Sequence, residues 1–153
     1  IAKSMPEYQF IFVSKIPQLQ NIELSNVKLI SGSWGDKALT DSELREIYNN
    51  ARLTIIPLKE SSQPSGQSVA LQSMSVGVPV LISKTTGFWD EEMFENNTHL
   101  FFQNDNNPSS WKKNIEHLYK NIKKTEYVSN NAKILTNKHF DLNNFYKRLE
   151  SYL

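Results

Sequence analysis

Apolar residues run nearly unbroken through positions 10–13, 27–30, 53–58, 78–83 and 100–102. Continuous runs of this kind, as opposed to strict alternation, predict short β-strands covered on both faces. Between them the apolar positions fall at helical spacing. Residues 42–51 place Leu44, Ile47, Tyr48 and Ala51 on one face, and 108–122 do the same with Trp111, Ile115, Leu118, Tyr119 and Ile122. Residues 66–76 form a further helical stretch. Strand and helix therefore alternate, which predicts an α/β domain with right-handed βαβ crossovers and an open, doubly wound parallel sheet flanked by helices. Ligands of such sheets bind at the carboxyl ends of the strands, on strand-to-helix loops. Two more helical patterns follow at 126–138 and 141–153, the second carrying Leu142, Phe145, Tyr146, Leu149 and Tyr152 or Leu153. The Asn-rich patch at 104–107 reads as a loop before a helix capped near Ser109.

Composition adds bounds to this pattern. A chain of 153 residues with 39% apolar content can bury one domain's core. The net charge of +1 provides no long-range field for nucleic acid or an anionic membrane, so any affinity for phosphate must be local. Cysteine is absent, which removes disulfides, thiolate nucleophiles and Cys-based zinc sites and agrees with a reducing compartment, the cytoplasm. No apolar run approaches the roughly 20 residues that span a bilayer. The chain opens on Ile1-Ala2-Lys3, without an initiator methionine or signal pattern, and reads as a piece of something longer.

The segment Pro57-Leu-Lys-Glu-Ser-Ser-Gln-Pro-Ser-Gly-Gln-Ser68 is polar, broken by Pro64 and Gly66, and joins a buried strand to a helix. Ser65 is the natural N-cap, and Gly66 lacks a Cβ that would keep a ligand from the backbone. Free N–H groups at Gly66, Gln67 and Ser68, reinforced by the helix dipole, then form a local anion site suited to a diphosphate. Ser65, Ser68, Gln72 and Ser75 share one polar stripe, while Ala70, Leu71 and Met74 face the core. Gly77 ends the helix as its C′ residue, and Pro79 prevents its continuation.

The run from Pro64 through Gln72-Ser-Met74-Ser-Val-Gly77-Val-Pro79-Val80 resembles the donor-site signature of the retaining GT-B glycosyltransferases of family 4, roughly E-x-F-G-x-x-x-x-E-A-M-A-x-G-x-P-V. Asp41-Ser-Glu-Leu44 through Tyr48-Asn-Asn-Ala51 is similar to that family's helix before the donor-loop strand, so the resemblance covers nearly the whole chain. It implies the Rossmann-like C-terminal half of a GT-B fold, which binds a nucleoside-diphosphate sugar as co-substrate. Loop amides at Ser65, Gly66, Gln67 and Ser68 would hold the diphosphate. Gln72 would contact the ribose, in place of the family's second glutamate. The first glutamate falls on Pro64, which offers no side-chain hydrogen bond, so Gln67 or Glu60 must serve the sugar or the sugar is held differently. Lys59 is the cation of the loop, and the family's diphosphate-neutralising Arg and Lys follow a strand upstream of Ile1. Ser31 and Gly32 occupy the loop where the family sets the base against backbone. Neither metal nor cofactor is implied, and no catalytic residue is assignable here. The acceptor would be held by an N-terminal domain, toward which the 141–153 helix would pack.

Other features carry competing readings. Phe88 and Trp89 follow the 78–83 strand, and either wall the cleft or pack in the core. His99, His117 and His139 lack metal-like spacing and are surface or capping residues. Asp90-Glu-Glu92 suits the start of a short helix. A non-catalytic flavodoxin-like or receiver-like binding domain fits the same element order, although a receiver needs acidic residues at early strand ends, where Val13-Ser-Lys15 and Ile30-Ser-Gly32 have none. A GT-B nucleotide-sugar epimerase shares the same donor half. An NAD enzyme ranks last, because no G-x-G-x-x-G run exists.

Overall fold

The computed structural model describes residues 1–14, 22–30 and 39–151. Its elements are β1 (Phe10–Val13), β2 (Val27–Ile30), α1 (Asp41–Asn49), β3 (Thr54–Ile56), α2 (Gln67–Val76), β4 (Val80–Ser83), β5 (Phe101–Gln103), α3 (Pro108–Lys120), α4 (Ile122–His139) and α5 (Leu142–Glu150), after a short 3-10 turn at Ala2–Ser4. All strand pairs are parallel, in two ladders: β1-β2, and β3-β4-β5 with β4 central. The chain divides into two compact units, Ile1–Glu46 and Ile47–Leu153.

In the first unit β1 runs beside β2 from Phe10↔Val27 to Val13↔Ile30. Asn26 closes the segment before it: its buried Nδ2 donates to the carbonyls of Ala2 (3.0 Å), Met5 (2.9 Å) and Tyr8 (3.0 Å), winding the chain around one amide. Met5 is fully buried beneath that turn. The expectation of strands covered on both faces fails here, since Ile11 and Val13 are 44% and 40% exposed. Ile11 and Val13, two residues apart, share one face of the ladder, and that face is left exposed.

The second unit meets the expectation in full at β4, where every residue from Val80 to Ser83 is buried. β4 is shielded on both edges by β3 and β5. Its core joins Ile56, Val80 and Ile82 of the sheet to Ala70 and Met74 of α2, Ala132 of α4, and Phe94 and Leu100. Burying each large side chain of this set contributes about 2 kcal/mol. The helical stripe of α4 is Val128, Ser129, Ala132 and Thr136, small residues that let α4 approach α2, and Thr136 Oγ1 donates back to the Ala132 carbonyl at 2.7 Å.

Helix boundaries differ from the sequence pattern for local reasons. Asn107, not Ser109, caps α3: its side chain accepts from the Ser109 N–H at 2.9 Å, and Pro108 occupies the first helical position, where no N–H is needed. The helix expected at 126–138 starts instead at Ile122, because Asn121 closes α3 through its own N–H and accepts from the Lys124 N–H at 3.4 Å. Residues 91–93 form a turn and not a helix. Asp90 still caps it, accepting from the Met93 N–H at 3.1 Å. Tyr152, Leu153 and the Phe145 side chain lie outside the described residues. Among the described residues no helix is long and apolar enough to cross a membrane.

Candidate functional site

The carboxyl ends of β3, β4 and β5 are tied by a closed ring of hydrogen bonds. The Leu58 N–H donates to Ser83 Oγ (2.9 Å), Ser83 Oγ donates to Asn106 Oδ1 (3.2 Å), and Asn106 Nδ2 donates to the Leu58 carbonyl (2.8 Å). Ser83 is buried at the end of the central strand, so the loop leaving β3 starts from a fixed point.

That loop is then fastened to the loop after β4. Glu60 Oε1 accepts from the Thr86 N–H (2.9 Å) and the Thr86 hydroxyl (2.8 Å), and the Gly87 N–H donates to the Ser61 carbonyl (2.9 Å). The two backbones touch: a Cβ at Gly87 would lie 2.5 Å from the Ser62 carbonyl carbon. The Thr86 N–H, and then its hydroxyl, hold the Glu60 carboxyl below its ordinary pKa. Glu60, read from sequence as an alternative to Gln67 for the sugar, has one oxygen committed to Thr86. Lys59, beside it, is exposed.

The loop delivers the chain to α2 through Gly66, and here the sequence reading needs two corrections. The N-cap is Gly66, not Ser65; no side chain caps the helix, and Gly66 sits in the left-handed region at φ +76°. The reason is tertiary. A Cβ at Gly66 would fall 2.9 Å from Ile56 Cγ2 and 3.3 Å from Ile82 Cδ1, so the missing side chain makes room for the sheet and not for a ligand. Gln67 and Ser68 open the helix on its exposed side, Ser65 is exposed just before it, and the first-turn N–H groups have no side-chain cap. The first turn also contains no acidic residue. An uncapped helix start with its dipole intact favours an anion.

Farther along, Gln72 is exposed and Ser75 half-buried on the same side as Ser68. Tyr48, in the last turn of α1, has one hydroxyl proton within reach of two acceptors, Gln72 Oε1 (3.3 Å) and the Val69 carbonyl (3.4 Å). Burial pushes the Tyr48 pKa above the usual value. Sequence reasoning gave Tyr48 only to the apolar face of α1. It also missed Ser73, which is fully buried: its hydroxyl lies 2.8 Å from Thr54 Oγ1 and donates to the Val78 carbonyl at 3.1 Å. Its place between Ala70 and Met74, on the core face, was the available signal.

Phe88 and Trp89 pack against the core and do not stand free at its edge. Their rings are 4.7 Å apart and both meet Phe94, Trp89 at 4.4 Å. His99 Nδ1 accepts from the Glu95 N–H at 3.2 Å, and burial lowers its pKa. Among the described residues no group of three or more His, Cys, Asp or Glu is placed to hold a metal ion. Ser31 and Gly32 lie outside the described residues.

The family model described as "Glycosyl transferases group 1" matches residues 37–135. No curated protein matches. Among solved structures, HepE of Anabaena in complex with UDP is similar at 18% identity and a TM-score of 0.71, over 96% of this chain and 41% of that one. A glycosyltransferase from Rickettsia africae gives 16% identity and a TM-score of 0.70, over 95% and 39%. The C-terminal domain of a group 1 family glycosyl transferase, LpcC, from Francisella tularensis gives 14% and 0.66, over 92% and 74%. At these identities the likeness is one of fold, a Rossmann-like α/β domain of the GT-B type, and the chain spans about two-fifths of the length of HepE.

Proposed function

Because the chain belongs to the group 1 glycosyl transferases, we propose that it is the donor-binding half of an enzyme that transfers a sugar, of the hexosyl class, from a nucleoside-diphosphate sugar to an acceptor with retention of anomeric configuration. The observation that carries this reading is the uncapped start of α2 at the carboxyl end of a parallel sheet, within the segment the family model matches. The amides of Gly66, Gln67 and Ser68, with the Ser65 and Ser68 hydroxyls, hold the diphosphate. Gln72 takes the ribose. Lys59 adds positive charge on the loop.

Glu60 serves this site differently from a sugar contact. Its bonds to Thr86 set the loop's path, which leaves the exposed Gln67, at the start of α2, for the sugar. Catalysis in such a site is largely positioning and stabilisation of the departing diphosphate, and needs neither metal nor cofactor. The acceptor is held by an N-terminal domain of the protein, so this chain alone binds donor without turning it over. Its place is the cytoplasm, where nucleotide sugars are a co-substrate in solution. HepE is the relative crystallised with UDP and, separately, with UDP-glucose, which makes UDP the first ligand to try.

The test is calorimetric titration with UDP, GDP and ADP. Saturable binding of one, weakened tenfold or more by replacing Ser68 and Gln72 together with Ala, is the expected outcome. Binding of none, in the full-length protein as well as in this chain, removes the donor-site reading.

A further inference from the structure

Gln72 is the only side chain to which the proposed site gives a ribose role, and an exposed glutamine on a helix is ordinarily free to sample several rotamers. Here it is not free. Tyr48 reaches α2 from the last turn of α1, and its hydroxyl sits over one helical turn, 3.4 Å from the Val69 carbonyl and 3.3 Å from Gln72 Oε1. Tyr48 is half-buried, which narrows the positions open to its hydroxyl.

We infer that Tyr48 is a positioning residue for nucleotide recognition: by donating to Gln72 Oε1 it fixes the carboxamide with its NH2 group outward, toward the side of α2 that continues from Ser68. This deepens the donor-site reading and rests on it. A tyrosine hydroxyl is a donor and an acceptor, whereas a glutamine amide has a distinct end of each kind. Donation from Tyr48 to the oxygen leaves the NH2 to meet the ligand, so the site presents a donor where a glutamate would present only acceptors. Ribose hydroxyl oxygens accept such a bond. The spacing suits a nucleotide: at about 1.5 Å per residue, Gln72 stands roughly 9 Å along the axis from Gly66, about the reach from a diphosphate to the ribose hydroxyls. Burial keeps the Tyr48 hydroxyl protonated well beyond neutral pH, so the donor does not titrate away under working conditions.

The test uses Tyr48→Phe, which keeps the ring and removes only the hydroxyl. Dissociation constants are measured for three probes: UDP, 2′,3′-dideoxy-UDP and inorganic pyrophosphate, with GDP or ADP and its dideoxy counterpart used if that nucleotide is the one bound. The wild-type chain should prefer UDP to the dideoxy nucleotide. Tyr48→Phe should compress that preference about fivefold, the worth of one oriented hydrogen bond, and approach Gln72→Ala, with pyrophosphate affinity unchanged. An undiminished preference in Tyr48→Phe overturns the inference while UDP binding itself keeps the donor site intact. Equal weakening of all three probes together with a lowered melting temperature also overturns it, since that is the mark of a packing role. Failure of the wild type to bind any nucleotide removes the inference together with the reading it rests on.

Discussion

The two ends of α2 are each marked by a glycine in the left-handed region, Gly66 at φ +76° and Gly77 at φ +88°, yet they do opposite things. At the carboxyl end the backbone closes on itself. The Gly77 N–H donates to the Met74 carbonyl and the Val78 N–H to the Ser73 carbonyl, both at 3.0 Å, and Val78 is buried behind them. This paired arrangement satisfies the Ser73 and Met74 carbonyls from within the chain's own backbone. At the amino end nothing equivalent occurs. Gly66 brings the chain in without a side-chain cap, and the loop before it is anchored away from the helix, to Thr86 and Gly87. One end is therefore finished by its own backbone, while the other is shaped from outside and left with donors to offer. A helix end that the fold has not closed is where a ligand can complete the structure.

The largest effect should come from the support of the open end. Gly87→Ala places a Cβ 2.5 Å from one backbone atom of the 61–62 segment and 2.7 Å from two others, none of which can rotate away. The loop must lift, losing the Gly87-to-Ser61 bond and disturbing the Glu60–Thr86 pair. A loss of about 2–3 kcal/mol is expected, with UDP affinity falling tenfold or more. Thermal melting and titration read the two effects separately, and wild-type values in both would show that the loop does not depend on that contact.

The glycines of α2 itself test the comparison directly. Left-handed backbone costs an alanine about 1 kcal/mol at either position. Gly77→Ala adds only an ordinary 3.4 Å contact with the flexible Lys133 side chain. Gly66→Ala adds a 2.9 Å overlap with Ile56 Cγ2 inside the core. The expected losses are about 1 kcal/mol for Gly77→Ala with affinity intact, and about 2–3 kcal/mol for Gly66→Ala with weakened UDP binding. Equal losses, or weakened binding from both, would show that the two ends are not functionally distinct.

The sequence carried one of these ends better than the other, for a physical reason. Gly77-x-Pro79 is a local signal: the bonds it makes reach back only to Ser73 and Met74. Ser65 was equally good local chemistry for a cap, but the position of Gly66 is imposed by Ile56 and Ile82, residues of other elements. Glu60 shows the same limit, since its partner Thr86 is 26 residues away and no periodicity links them. Periodicity did place Gln72 on the exposed side, yet Tyr48, 24 residues earlier, could be assigned only to the apolar face of its own helix. Strand runs were legible as parallel β structure, but apolar content alone could not separate β4, with a strand on each side, from β1, where Ile11 and Val13 remain exposed.

The smallest effect belongs to Glu60→Gln, and it discriminates between two jobs for one carboxylate. The Thr86 N–H and hydroxyl lower the Glu60 pKa in the folded state relative to the ordinary value of 4.5. A group with a depressed folded pKa binds its proton more readily when the chain unfolds, so its contribution is present above the ordinary value and disappears as pH falls through the folded one. The melting temperature of Glu60→Gln should therefore lie slightly below wild type near neutral pH, and the gap should close below pH 4.5. Because the carboxylate is solvent-exposed, water screens most of its charge and the gap stays small. A sugar contact would behave otherwise: melting would match wild type at every pH, while affinity for UDP-glucose would drop relative to UDP. The loop-fastening role predicts the reverse on both counts, a pH-dependent melting gap with an unchanged ratio of the two affinities.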